Sequence, residues 1–147
     1  INMSLTAEQL TLVQTSWSKV VPIAAVAADL FYAKLFELDP ELRPLFPEDM
    51  ADQKGKLVKM LNFAVDGLTN LDDLVPKVEA LGRRHATYFK VTPPMYATVG
   101  AALLDTLEKG LGETWDDEHK EAWSLVYGVL STTMINAGEE AEEKKEG

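Results

Sequence analysis

The apolar residues of this chain recur three and four positions apart along almost its whole length, and this periodicity restricts the fold more than any other feature. Such spacing gathers apolar side chains on one face of an α-helix, whereas a half-buried strand needs them at alternate positions. We find no convincing alternating stretch and no internal repeat. The pattern therefore predicts an all-α protein whose amphipathic helices share one core.

Prolines and capping residues divide the pattern into six helices. Ser4 or Thr6 can cap the first helix, and Pro22 opens the second. Asp52 can cap the third helix, and Pro76 fits the first turn of the fourth. The fifth and last helices are expected after the breaks VTPP and GLGETWDD.

Composition narrows the class of protein. The 147 residues, 46% of them apolar, suit one globular domain. A net charge of −10 argues against nucleic acid and anionic membrane surfaces as partners, and no apolar run reaches the roughly 20 residues that a bilayer requires. The chain has no cysteine, which excludes disulfides and thiolate metal sites. Because INMSLTAEQL does not resemble a signal peptide, we expect a cytoplasmic protein.

The C-terminal end differs in composition from the rest. We expect residues 1–138 to form the domain and residues 139–147, EEAEEKKEG, to form a charged tail. Such a tail is either frayed or a solvated extension of the last helix.

A histidine continues the apolar face of the fourth helix, which we expect to end near it. Leu74, Val78 and Leu81 share one face, and His85 is the next residue on that stripe. Gly82 removes a side chain from the same surface, so that a bulky group could approach the backbone. One interpretation is a core histidine bonded to backbone groups. The other is the single protein ligand of a cofactor with its own equatorial donors, most commonly haem, since zinc requires three or four ligands.

Two further polar residues interrupt apolar surfaces. Gln53 extends the stripe formed by Leu57 and Leu61 on the third helix, and Tyr32 lies within the apolar run LFYAKLF. Gln53 could be an exposed first-turn residue, and Tyr32 a core tyrosine with its hydroxyl at the rim. Taken with His85, they describe an apolar cavity with one ligand on one side and two hydrogen-bond donors on the other.

Four stretches resemble the globin family in the family's own order. They are LFYAKLFELDPELRPLF (30–46), LGRRH (81–85), YATVGAALL (96–104) and AWSLVYG (122–128). The chain is similar to the branch that contains neuroglobin, single-domain bacterial haemoglobins and the haem domain of flavohaemoglobins. This resemblance implies a single-domain fold of about six to eight helices around a haem pocket. It also implies haem b (iron protoporphyrin IX) as the cofactor, with dioxygen, NO and CO as ligands.

The resemblance also assigns roles to residues. It implies that His85 is the proximal iron ligand, that Phe46 packs on the haem face and that Gln53 occupies the distal ligand-contact position. Leu57 then lies one turn further, above the iron, and Tyr32 matches the distal tyrosine of the bacterial members. Further expected cofactor contacts are Lys56, Leu81, Arg84, Val91, Tyr96, Val99 and Leu103. Lys54, Lys56 or Arg84 could pair with the haem propionates, although each could equally be a solvated basic residue.

The distal side departs from many globins, neuroglobin included, which carry a histidine where this chain has Gln53. The other histidine, His119, lies in TWDDEHKEAW, and we interpret it as a surface residue. No second histidine is therefore expected to reach the iron.

The proximal side departs in a different way. Flavohaemoglobin-type domains pair the proximal histidine with a tyrosine and a glutamate. Tyr96 matches that tyrosine, whereas the glutamate position falls near Gly138, with Glu139 and Glu140 immediately after it. Whether either carboxylate turns inward is open at this point.

The sequence leaves several functions open. The leading hypothesis is a protein that binds dioxygen reversibly. An alternative is a nitric oxide dioxygenase or a related haem redox enzyme with an external reductase, because no GxGxxG motif follows a strand in these 147 residues. A gas sensor or a haem-free interaction module is a third hypothesis, and His85 argues against the haem-free version. A carboxylate di-iron bundle would need Glu-x-x-His motifs on two helices, which we do not find.

Overall fold

The computed structural model describes residues 5–146, with side chains placed through residue 144, and this part of the chain is almost entirely helical without a strand. Six α-helices confirm the all-α prediction. They are α1 (Ala7–Val20), α2 (Ala24–Leu38), α3 (Ala51–Asp66), α4 (Leu71–Phe89), α5 (Pro93–Leu111) and α6 (Asp117–Glu146). Short 3₁₀ turns occupy Val21–Ile23, Pro40–Leu45, Gly67–Thr69 and Gly112–Thr114.

Thr6 begins the first helix as the sequence predicts. Its hydroxyl accepts a hydrogen bond from the backbone N–H of Gln9 at 3.0 Å, and the Gln9 side chain accepts one from the backbone N–H of Thr6. The other candidate cap, Ser4, lies outside the described residues. Pro22 lies in the 3₁₀ turn that leads into α2.

Two predicted helix starts are wrong. Asp52 does not cap α3, because the carboxylate of Asp49 accepts the hydrogen bond from the backbone N–H of Ala51. Asp52 instead lies in the first turn, where its charge interacts favourably with the helix dipole. Helix α4 begins at Leu71, so Pro76 lies inside it and not in its first turn. The helix also continues beyond His85 to Phe89 and ends at Lys90, whose φ is +54°.

The core lies between α1, α2, α5 and α6, with two tryptophans at its centre. The indole N–H of Trp123 donates to the hydroxyl of Ser16 at 2.9 Å, so α6 is fixed to α1. The indole N–H of Trp17 donates to the side-chain oxygen of Asn62 at 2.7 Å, which ties α1 to α3. These bonds satisfy polar groups inside an apolar core.

Helices α4 and α6 pack through glycines. A Cβ atom on Gly82 would lie 2.5 Å from the Cα of Met134, and one on Gly138 would lie 2.9 Å from the Cβ of Ala86. The group that approaches Gly82 closely is therefore the backbone of α6. Our expectation that Gly82 leaves room for something bulky on the face of His85 is wrong. The side of α4 that carries Gly82 lies about 100° around the helix axis from Leu81, and the backbone of α6 already occupies it.

Residues 139–146 continue α6, so the charged tail is an extension of the last helix; Gly147 lies outside the described residues. The domain boundary at residue 138 stays a prediction. No helix in the described part of the chain combines the length and the apolar character needed to cross a membrane.

Candidate functional site

A cleft opens between α3 and α4. These consecutive helices hardly touch, although only the turn Gly67–Thr69 and Asn70 separate them. Burial falls along each helix with distance from this joint. On α3, Ala64 is buried and Leu57 is half-buried; on α4, Leu74 is buried and His85 is half-buried. The two helices therefore leave an apolar-walled cleft that is open at the end away from the joint.

Gln53 and His85 stand at matching levels on the two walls. Gln53 lies 13 residues before Asp66 at the end of α3, and His85 lies 14 residues after Leu71 at the start of α4. At a rise of roughly 1.5 Å per residue, both lie about 20 Å from the joint. The cleft thus has the amide on one wall and the imidazole on the other.

One nitrogen of the His85 imidazole is hydrogen-bonded, and the other has no partner among the residues that the structure describes. Its Nδ1 lies 2.9 Å from the carbonyl oxygen of Leu81. Since a carbonyl can only accept, Nδ1 carries the proton and Nε2 keeps its lone pair, for which the described residues provide no hydrogen-bond partner. Burial lowers the pKa of His85; the bond to Leu81 opposes this shift and the charge of Arg84 adds to it. The ring is therefore held in the neutral form that binds metals.

Aromatic rings hold this imidazole in place. The Tyr96 ring lies 6.4 Å from it at an interplanar angle of 28°, and the Phe89 ring lies 5.7 Å away in an edge-on arrangement. Burial raises the pKa of Tyr96 to about 12, so its phenol stays neutral. Tyr127 donates its hydroxyl to the backbone oxygen of Tyr96 at 2.6 Å, which fixes the start of α5.

On the opposite side, Tyr32 and Gln53 bond to each other. The amide Nε2 of Gln53 donates to the hydroxyl oxygen of Tyr32 at 3.1 Å. The hydroxyl accepts in this bond, so its own proton remains available to another acceptor. Burial raises the pKa of Tyr32, and the bond from Gln53 opposes that shift. The Tyr32 ring is enclosed by the aromatic rings of Phe31, Phe36 and Phe46 at centroid distances of 5.0, 5.9 and 5.7 Å.

Arg43, which was not predicted from the sequence, holds the segment that carries Phe46. Its guanidinium donates to the backbone oxygens of Phe46, Pro47 and Glu48 at 3.0–3.2 Å and lies over the ring of Phe36. A basic residue inside the proline-rich stretch ELRPLFPEDM was the available signal, because carbonyls in an irregular loop need donors.

The basic residues considered as partners of the haem propionates separate into two groups. Lys54 forms an ion pair with Asp29 of α2 at 2.8 Å, so its charge has a partner inside the protein. The ammonium of Lys77 lies 4.9 Å from the ring centroid of Phe63, which shows which edges of α3 and α4 face each other. Lys56 lies two turns before Phe63 and Arg84 two turns after Lys77, on the same edges. Lys56 and Arg84, both exposed, therefore flank the open mouth of the cleft.

The other expected contacts lie around the same two clusters. Leu103 is buried, whereas Phe46, Leu81, Val91 and Val99 are half-buried and pack against the core. The structure thus brings Tyr32, Gln53 and Phe46 together on one side and His85, Leu81 and Tyr96 together on the other.

Three residues considered from the sequence lie elsewhere. His119 packs beside Trp115 at the start of α6, with its Nδ1 2.7 Å from a carboxylate oxygen of Asp116. Its side chain is 12% exposed because the ring packs on that indole, so His119 is a half-buried residue at the surface. Glu139 and Glu140 are exposed, and neither is hydrogen-bonded to His85 among the described residues.

Glu142 was not predicted from the sequence. Its carboxylate oxygen Oε1 is buried, and the described residues 5–144 offer it no hydrogen-bond partner. The signal was present, since Glu142 lies one turn after Gly138 and therefore on the same face of α6.

Comparison with known families agrees with this geometry. The family model described as Globin matches residues 29–134, which is well over half of the chain. The matched range contains both walls of the cleft, His85 and the pair formed by Tyr32 and Gln53. Members of that family usually bind haem and, through it, gases such as dioxygen.

Proposed function

Because this chain belongs to the globin family, we propose that it binds haem b in the cleft between α3 and α4 and there binds dioxygen reversibly. The hydrogen bond from His85 Nδ1 to the carbonyl of Leu81 is the observation that carries the proposal, since it leaves on Nε2 a lone pair for which the described part of the chain has no partner. A core histidine bonded at both nitrogens would have no such lone pair.

The residues present fit such a group. Both walls offer half-buried apolar side chains to a flat apolar ring system, and the exposed cations Lys56 and Arg84 stand at the mouth to pair with carboxylates. Haem iron with one imidazole ligand keeps a sixth position at which dioxygen, NO or CO can bind. His85 would be the ligand, with Leu81 fixing the tautomer of the ring.

On the distal side, Tyr32 and Gln53 would recognise the bound gas. The hydroxyl proton of Tyr32 is free to donate, and a hydrogen bond to an acceptor that gains negative charge is stronger than a neutral one. Gln53 would hold that hydroxyl in position. Leu57, Leu61 and Phe46 exclude water from this side, which slows oxidation of the cofactor.

The same pair supports a finer assignment within the family. Tyr32 matches the distal tyrosine of the bacterial members of the branch, whereas neuroglobin carries a distal histidine where this chain has Gln53. We therefore favour the bacterial side of the branch.

A second candidate function is nitric oxide dioxygenase with an external reductase. The favouring observation is Phe89, which packs on the His85 ring yet is 59% exposed, and which lies beside the exposed Tyr88. These rings offer an electron donor an aromatic contact next to the proximal ligand. Single-turnover oxidation of NO by the oxygenated protein tests this function, and a turnover no faster than the spontaneous reaction would reject it. The reductase and a cytoplasmic location stay predictions.

The main proposal is tested by replacing His85. We expect His85→Ala to lose the normal ferrous spectrum or the cofactor itself, and added imidazole to restore the spectrum in part. His119→Ala is the matched control and should keep the parent spectrum. The unliganded ferrous protein should lack a bis-histidine spectrum, because His119 bonds to Asp116 at the start of α6. Unchanged haem and oxygen binding in His85→Ala would show that the assignment is wrong.

A further inference from the structure

We propose that an open cavity between α4, α5 and α6 binds a small organic cation with an apolar body, such as a protonated amine. The cavity has a volume of about 320 Å³ and lies beside the C-terminal end of α4. Its apolar walls include Val91, Pro93, Met134 and Ile135. A volume of this size lies at the lower end of the range for small-molecule sites.

The cavity is separate from the cleft. It is bordered on α4 by Gly82 and Ala86, which follow Leu81 and His85 and lie about 100° further around the helix. The cavity therefore lies on the α6 side of α4, whereas the cleft lies on the α3 side. Tyr96 contacts both, since it lines the cavity and stacks on the imidazole.

A carboxylate defines the chemistry of the occupant. Oε1 of Glu142, which lines the cavity, is buried and has no hydrogen-bond partner among the side chains that the structure describes. Glu139 and Glu143 also line it, and Lys90 is the basic residue among its lining side chains. No ion pair joins Lys90 to Glu142 among the described side chains. A buried unpaired carboxylate oxygen is costly, so a cationic donor placed against Glu142 would be stabilised.

The apolar walls of the cavity determine the chemistry of the uncharged part of the ligand. With its charged head at Glu142, the body of the ligand would lie against Met134, Ile135 and Val91, where it exchanges water for apolar contact. An occupant would also touch Tyr96, whose ring stacks on His85 at 6.4 Å. A spectral response of the haem to the ligand is therefore expected; this response rests on the proposed function, whereas the binding itself does not.

The test uses benzylammonium as the cationic probe and benzyl alcohol as its neutral counterpart, both titrated calorimetrically. The holoprotein is saturated with CO, so that the amine cannot coordinate the iron. We expect benzylammonium to bind about tenfold or more tightly than benzyl alcohol, and Glu142→Gln to remove that preference. Glu140→Gln changes an exposed carboxylate of the same helix and is the matched control. Ile135→Trp fills the cavity without changing charge and should abolish binding of both probes.

Three outcomes would overturn the proposal. They are no saturable binding of benzylammonium, equal binding of both probes, and an unchanged preference in Glu142→Gln. Equal or absent binding would mean that the Glu142 oxygen is satisfied by water alone. If the purified chain takes up no haem, the proposed function fails, but the same titration of that protein still tests the cavity.

Discussion

Gln53 and Tyr32 are joined across two helices, because the Gln53 amide on α3 donates to the Tyr32 hydroxyl on α2 at 3.1 Å. The sequence suggested two separate donors aimed at a bound gas. The structure instead makes the amide a support for the hydroxyl, whose proton remains free. This relationship changes what mutants of the two residues should show.

We predict that Tyr32→Phe raises the dioxygen release rate more than Gln53→Leu does. Losing one hydrogen bond to a charged acceptor should raise the dioxygen release rate roughly 10- to 100-fold. We expect the effect of Tyr32→Phe to lie in the upper part of that range. The double mutant should resemble Tyr32→Phe, because Gln53 acts through the hydroxyl. Flash photolysis measures these rates, and CO release, from a weaker acceptor, is the internal control. Simple addition of the two effects would show that the amide contacts the gas directly.

A second link joins the same helices. Lys54 and Asp29 form an ion pair at 2.8 Å. Lys54 follows Gln53 on α3, and Asp29 lies about one turn before Tyr32 on α2. We predict that Lys54→Gln raises gas entry and release rates up to about fivefold, since a partly exposed pair contributes at most about 1 kcal/mol. Added salt should have a similar effect on the parent protein.

A charge exchange separates the ion pair from other effects of the substitution. The double variant Lys54→Asp, Asp29→Lys should restore the parent rates in stopped-flow measurements. Lys34→Gln is the control, because Lys34 pairs with Glu37 within α2 alone. If the exchanged pair behaves like Lys54→Gln, the link does not order this end of α3.

Gly82 should be intolerant of a side chain. A Cβ there would meet the backbone of Met134, so Gly82→Ala must push α4 and α6 apart. Overpacking of this kind typically costs 1–3 kcal/mol, roughly, of the free energy of unfolding. Gly55→Ala is the matched control, since nothing lies within 4 Å of its Cβ, and it should stabilise α3 by about 0.5–1 kcal/mol. Urea unfolding measures both; equal effects would mean that the helices separate easily.

The helices could be predicted from the sequence better than the groups that pack against each residue. Apolar periodicity located all six helices, because it reports which face of each is buried. It could not identify what faces Gly82, since a missing side chain does not say which backbone fills the space. The prediction for Pro76 was wrong because α4 extends beyond the proline towards the N-terminus. A proline marks a helix start only where tertiary packing does not extend the helix in that direction.

The candidate site residues also divide into those that a sequence pattern identifies and those that only the packed structure reveals. His85 was identifiable because it interrupts a stripe, and Tyr32 because it interrupts an apolar run. Arg43 and Glu142 were missed, since their importance depends on loop carbonyls and on a cavity that only packing creates. For Lys54 the sequence left a propionate contact and a solvated residue equally open, because its partner Asp29 lies 25 positions away.

Tyr96 should make the protein sensitive to alkali. Burial raises its pKa from 10.0 to about 12, so between these pH values the unfolded chain releases a proton that the folded chain keeps. The free energy of unfolding should therefore fall as pH rises from 10 to 12, and this loss should be complete above the folded pKa. Tyr96→Phe should flatten the dependence in urea unfolding between pH 9 and 11.5, although Tyr127, whose pKa burial also raises, still contributes. Tyr88→Phe removes a phenol that is 74% exposed and controls for the substitution. An unchanged slope in Tyr96→Phe would mean that the phenol beside the imidazole is open to water in solution.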